Sequence, residues 1–329
     1  MKTQTITIIG LDLIGLSMGM ALKKAPFEAT IVGHDSDRDK LNAAKSLQAI
    51  DIEEWNLVTS IIKADIIILN VPISEVELTL EAMGEDVQAH TLILDLSPQK
   101  ALPAKWAKSY LKRGYYVGAL PVFSVGALQD GRSPEEVAHP DIFRNSVFCL
   151  MPTADVDPEA VETAVNVGLL VGALPFFIDP VEYDSLMQGV QFIPGLLSAA
   201  LFGAVKESAG WRDILRYAAR PFAMATQPLN RATESALLAT QDKSATLRWL
   251  DAVIKELVQI RQFVAKGDGD LLQSILAERN LEREKWLKSR EKNAWAEESK
   301  IKTVPVPGMA DQIMGDYLAQ RFKQSEEEK

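Results

Sequence analysis

The sequence predicts an α/β chain, in which a mostly parallel sheet domain is followed by an all-helical domain. Three observations lead there. Short β-branched runs alternate with helical patterns from residue 3 to residue 179. Several of those runs are almost continuously apolar, the pattern of strands whose two faces are both covered by helices. After Asp179 the alternation stops, and apolar residues recur at helical spacing.

Taken in order, "TITIIG" (3–10) opens the sheet, and "GLSMGMALKKA" follows as a helix. "ATIVGHD" (29–35) is the second strand, "WNLVTSIIK" reads as a helix, and "ADIIILNVP" (64–72) is the third long strand. "HTLILDL" (90–96), the helical "LPAKWAKSYLKR", "YYVGALP" (115–121), "NSVFCLMP" (145–152) and "LPFFID" (174–179) complete the sheet domain, drawn as 1–178. "EYDSLMQGVQFIPGLLSAALFGAVKESAG" is helical with a break expected near Pro194. The long stretch from Ala245 to Arg290 is helical and interrupted at "GDGD", which bounds a helical domain at 179–290. Residues 291–329 are expected to form a charged linker, broken at "VPVPG", and a C-terminal docking helix.

At 329 residues, two domains are the default. A formal net charge of -10 argues against a nucleic-acid surface, which needs Lys and Arg against phosphate, but leaves room for a small anionic substrate. The single cysteine, Cys149, lies in an apolar run and reads as a buried, inert thiol. No secretory leader and no apolar run long enough to span a bilayer are found, so a cytoplasmic protein without membrane contact is expected. Metal chemistry lacks a Cys–His cluster or H-E-x-x-H, and a serine hydrolase lacks its G-x-S-x-G elbow. The three histidines, His34, His90 and His139, are expected in plain surface or loop roles.

The strand–turn–helix at "TIIGLDLIGLSMGMALKK" has the form of a dinucleotide-binding, Rossmann-type opening. Gly10 makes the tight turn and Gly15 lets the helix pack against the sheet. Asp12 stands where the second glycine lets the pyrophosphate approach. It adds a negative charge at the phosphate position, or it caps the helix itself. The cofactor contacts are expected from Gly10, Leu11, Asp12, Leu13, Ile14 and Gly15, with Val71 and Pro72 near the nicotinamide half. Asp35, ending the second strand, suits the adenosine ribose hydroxyls and favours NAD over NADP, a preference that Arg38 nearby would soften.

With these residues in place, the chain resembles the prephenate and arogenate dehydrogenase family over residues 5–290. "IIGLDLIGLSMGMALK", "FRNSVFCLMP" with "LLVGALPFFIDPVEYD", "GWRDILRYAA" and "LVQIRQFVAKGDGDLLQSILAERNLER" carry the likeness, in the family's order. The resemblance implies an oxidation coupled to decarboxylation in tyrosine biosynthesis, with NAD as cofactor. It also implies a homodimer formed through the helical domain. It further implies a catalytic histidine before a proline, where this chain has Leu120-Pro121, and a serine where it has Pro98. Tyr183, Gln191, Phe192 and Gly195 match positions where the family carries His, Ser, His and His.

The polar residues left as catalytic candidates are Tyr183, Lys100, Arg216 and Ser97, and Asp184 matches a family aspartate. Arg216 matches the family's carboxylate-binding arginine, and its alternative role is a salt bridge on a helix face. Tyr183 acts as a base only if a cation such as Lys100 or Arg216 lowers its pKa. Three readings stay open: a dehydrogenase for a different small carboxylate, with Leu120, Phe192 and Ile193 suiting a less polar substrate; a prephenate dehydrogenase using substitute groups; and a non-catalytic dimeric homologue with weakened nucleotide binding.

Overall fold

The computed structural model describes residues 3–124 and 134–292. The linker and docking helix expected beyond residue 292 lie outside them. Eight strands form one sheet in the order β3-β2-β1-β4-β5-β6-β7-β8. They are β1 (Thr5–Ile9), β2 (Thr30–His34), β3 (Ile52–Glu53), β4 (Ile66–Leu69), β5 (Leu92–Asp95), β6 (Tyr115–Pro121), β7 (Val147–Pro152) and β8 (Leu174–Phe177). Every pairing is parallel except β6 with β7. Seven strands fall within the runs that predict them. The eighth, β3, has two residues, both exposed, and so carries no hydrophobic pattern to read.

The central strands are buried on both faces. Ile6, Ile8, Ile66, Ile68, Leu92 and Leu94 face one core with Leu16, Met18 and Phe148. Ile9, Ile67, Leu69 and Ile93 face the other, with Val76, Leu80 and Met83. This alternation explains the unbroken apolar runs: each successive residue meets a different helical layer. Helices α1 (Leu13–Lys24), α2 (Arg38–Ser46), α3 (Leu57–Ile61), α4 (Ile73–Met83), α5 (Ala101–Tyr110), α6 (Pro134–Val137) and α7 (Pro158–Leu170) lie between the strands in sequence. The strand order reverses between β1 and β4, so the crevice at their C-terminal ends opens beside the β1–α1 turn.

Beyond β8 the chain is helical: α8 (Pro180–Met187), a π turn (Gln188–Phe192), α9 (Ile193–Lys206), α10 (Trp211–Tyr217), α11 (Arg220–Thr226), a 3-10 turn (Gln227–Arg231), α12 (Ala232–Gln241), α13 (Lys243–Lys266) and α14 (Gly269–Glu291). The break expected near Pro194 is the π turn just before it, where a ring without an N–H starts a new helix. "GDGD" is the joint between α13 and α14. Gly267 ends α13 in the left-handed region, and Asp268 caps α14 through Leu271 N.

One expectation is corrected. The helical stretch Pro180–Lys206 is long and apolar enough, by length and composition, to cross a membrane. Two of its polar residues, Gln188 and Ser198, are bonded within the fold. Gln188 Nε2 donates to the Leu238 carbonyl at 3.1 Å, and the Ser198 hydroxyl bonds the Pro194 and Ala225 carbonyls at 2.8 Å each.

Candidate functional site

The β1–α1 turn is shaped by its neighbours. Gly10 sits at φ +93, and a Cβ there would lie 2.0 Å from the Asn70 carbonyl oxygen. A Cβ on Gly15 would lie 2.1 Å from the Gly10 carbonyl oxygen, so both glycines are required by close backbone approach. The Leu11 N–H donates to Asp35 Oδ2 at 2.8 Å, and the Asp37 N–H donates to Asp35 Oδ1 at 2.9 Å. Each Asp35 oxygen keeps lone-pair capacity for a ribose hydroxyl. The cation beside Asp35 is Lys40, with Nζ 3.9 Å from Oδ2.

Asp12 is the N-cap of α1. Its Oδ1 accepts from Ile14 N at 2.9 Å and, more weakly, from Gly15 N at 3.4 Å, so Leu13 and Ile14 form a first turn that is already capped. Asn70, at the end of β4, holds the carboxylate in place: its Nδ2 donates to Asp12 Oδ1 at 2.6 Å and to the Gly10 carbonyl at 3.1 Å. Sequence reasoning missed Asn70. Its only signal was position, as the polar residue between an all-apolar strand and Val71-Pro72, where Pro72 opens α4.

The turn, Gly10, Gly15 and Asp35 fit the ribose end of a dinucleotide. The diphosphate end is partly filled by a carboxylate that uses two of the N–H groups a phosphate would take. The Asp12 side chain is solvent-exposed, and rotating it away would free both donors.

A second polar group lies where β5, β6 and β7 meet α8. Asp95, fully buried, accepts from the Ser97 N–H at 2.9 Å and the Tyr116 hydroxyl at 2.7 Å, and its Oδ2 lies 2.8 Å from the Ser97 hydroxyl. Lys100 is 1% exposed. Its ammonium donates to the Asp95 carbonyl at 2.7 Å and to the Ser97 carbonyl, and lies 3.6 Å from Asp95 Oδ2. Gly118 makes room for the lysine stem, since a Cβ there would sit 2.9 Å from Lys100 Cδ. Burial pushes the Lys100 pKa down, against the pull of Asp95 and Asp184. Asp184 reaches across from α8 and accepts from Lys100 N and Ala101 N at 2.8 Å each, capping α5. Burial raises the Asp184 pKa, outweighing those two donors and the lysine.

Tyr183 is buried, and its hydroxyl has no hydrogen-bond partner among the described residues. Burial first, then Cys149, Asp184 and Asp95, push its pKa well above 10, opposite to the direction a base requires. The cation expected to lower it does not do so: Lys100 is committed to Asp95 and the two carbonyls. Ser97 and Lys100 are likewise enclosed, and so brace the end of β5 rather than face solvent. Arg216 is not brought to this group. It is exposed near the end of α10 and forms no hydrogen bond or ion pair among the described residues.

Cys149 pairs in register with Leu120, and burial raises its thiol pKa to about 11, with Lys100 opposing. The matched histidine positions are filled by packing. Phe192 belongs to a core, and a Cβ on Gly195 would already lie 2.6 Å from the Ser235 hydroxyl oxygen. His34 bonds the Glu54 carbonyl at 2.9 Å, His90 lies 3.2 Å from Asp65, and His139 Nδ1 accepts from Asp141 N at 3.1 Å.

Among known proteins, a model described as the nucleotide-binding domain of prephenate dehydrogenase matches residues 18–174. The prephenate dehydrogenase of Bacillus subtilis is 28% identical over 284 residues, spanning 82% of this chain and 72% of that protein. The cyclohexadienyl dehydrogenase of Zymomonas mobilis is 24% identical over 272 residues, spanning 81% of this chain and 90% of its own. In fold, the chain is similar to the prephenate dehydrogenase of A. aeolicus solved with hydroxyphenyl propionate and NAD+. That likeness has a TM-score of 0.73 at 18% identity, over 87% of this chain and 99% of that one. The Synechocystis arogenate dehydrogenase superposes with a TM-score of 0.64 at 21% identity, over 86% and 100%.

Proposed function

We propose that this chain is a member of the prephenate/arogenate dehydrogenase family and a nicotinamide-dependent oxidoreductase. In this reading it acts on a small carboxylated hydroxy compound other than prephenate, as a cytoplasmic homodimer. The observation that carries the reading is the β1–α1 turn, whose two close-packed glycines and fixed Asp35 are the parts a dinucleotide needs. When bound, the nicotinamide would supply the hydride acceptor.

The chain's own residues would do the rest. Asp35 would hold the ribose and favour NAD, since a 2'-phosphate would meet its carboxylate, with Lys40 softening the preference. Val71 and Pro72 would border the nicotinamide half. Leu120, half-buried near the end of β6, would present an apolar side chain where the family has a histidine, which argues against prephenate. Tyr183, kept neutral by burial, would serve as a hydrogen-bond donor rather than a base.

A second reading, a non-catalytic homologue with weakened nucleotide binding, is favoured by one observation: Asp12 caps α1 and is itself held by Asn70. Calorimetric titration with NAD and NADP separates the two. Displacing an N-cap costs about 1 kcal/mol, so Asp12→Gly should tighten NAD binding by about fivefold or more, charge repulsion adding to that. Binding of NAD by the unaltered protein supports the oxidoreductase. Binding seen only in Asp12→Gly would leave the second reading standing.

A further inference from the structure

The oxidoreductase reading requires a cation for the substrate carboxylate, and the sequence offered Lys100 and Arg216. Lys100 is enclosed with its ammonium spent on Asp95 and two carbonyls, and Arg216 points to no described partner. Another guanidinium stands at the same edge of the sheet. Arg290, near the end of α14, reaches back to the loop that follows β6. Its Nη2 donates to the Phe123 carbonyl at 2.7 Å, three residues beyond Leu120.

That loop is pinned. Val122 N donates to the Val147 carbonyl at 2.9 Å, Ser124 N donates to the Ile142 carbonyl at 2.8 Å, and the Phe123 ring stacks on Phe143 at 5.8 Å. The guanidinium also lies 5.9 Å from the centroid of the Trp286 ring, one helical turn earlier. Both contacts fix the plane of the fork before any ligand arrives. Burial lowers the Arg290 pKa, yet among the described residues no carboxylate pairs with it. A part-buried guanidinium with one neutral acceptor keeps donors in the geometry that matches a carboxylate edge-on.

We propose that Arg290 binds the carboxylate of the substrate, beside the Leu120 position at the mouth of β6. The inference rests on the oxidoreductase reading and adds to it the residue that selects an acid. Selection would come from a helix of the C-terminal region docking on a loop of the sheet domain, so substrate binding would draw on both halves of the chain.

The test uses the full-length protein with NAD present and two probes: hydroxyphenyl propionate and its neutral amide. Calorimetry is run on the parent, Arg290→Gln, Arg290→Lys and Arg216→Gln, each first checked for an unchanged melting temperature. The expected result is that Arg290→Gln weakens binding of the acid by about tenfold or more and leaves the amide unchanged, with Arg290→Lys between. A merely structural role would weaken both probes alike, and that result overturns the inference. So does a loss confined to Arg216→Gln. Failure of the parent to bind NAD sinks the oxidoreductase reading beneath it, whereas a parent that binds NAD but takes the acid no more tightly than the amide overturns the Arg290 inference alone.

Discussion

The Tyr183 hydroxyl was the group whose chemistry the sequence left most open, and its surroundings now decide what it can do. Burial among Cys149, Asp184 and Asp95 holds the phenol neutral, and nothing described accepts its proton. An unpaired buried hydroxyl costs free energy, so Tyr183→Phe should stabilise the ligand-free protein by about 1 kcal/mol in urea denaturation. Unchanged turnover in that variant would end any catalytic role for the residue. Cys149 offers a parallel test. Its pKa moves from 9.0 to about 11, so the folded thiol should alkylate about a hundredfold more slowly at pH 8 than the unfolded one. The same shift makes the folded state the tighter proton binder, so this residue's share of stability falls as the pH rises from 9.0 to about 11. These environments were illegible in the sequence. "YDSLM" and "SVFCLMP" do not show that one side chain will end beside the other, because a whole helix and strand, α7 and β8, lie between them in sequence.

At the scale of elements, the sheet was legible because each buried strand advertises itself. Ile66–Leu69 has no polar residue, and neither does the predicted run's core in Leu92–Leu94. The glycine turn was legible too, as spacing between Gly10 and Gly15. Its clamp was not, since Asn70 reaches Asp12 from 58 positions away and leaves no periodic trace. Asp184 is the element-scale device with a pH signature. Its pKa is raised on folding, so the folded state binds the proton more tightly than the unfolded chain. Stability should therefore fall as pH rises above 3.8, until the folded group has also ionised, and be level beyond that. Asp184→Asn should flatten that limb in denaturation midpoints followed against pH. Asp184→Ala should cost about 3 kcal/mol at neutral pH, leaving two N–H groups at the start of α5 without an acceptor.

For the whole molecule, the apolar residues left uncovered are concentrated on the helical side. Ile254, Leu257, Val258 and Val264 are exposed along α13, and Leu271, Leu276, Leu281 and Trp286 along α14. A second copy covering them is the proposed dimer, and Leu257→Glu with Val258→Glu should shift the protein to monomer in analytical ultracentrifugation. The cap that Asp184 places on α5 bears on how such a chain comes into being. A ribosome delivers the sheet domain first, yet the first turn of α5 must wait for a carboxylate made 83 residues after Ala101. Until translation passes α8, the sheet carries a helix on one face whose first turn is uncapped. The sheet and the helices that follow it, one compact unit over Met1–Lys292, are thus joined in biogenesis as well, and a nascent chain stalled before residue 184 would present that gap to chaperones and proteases.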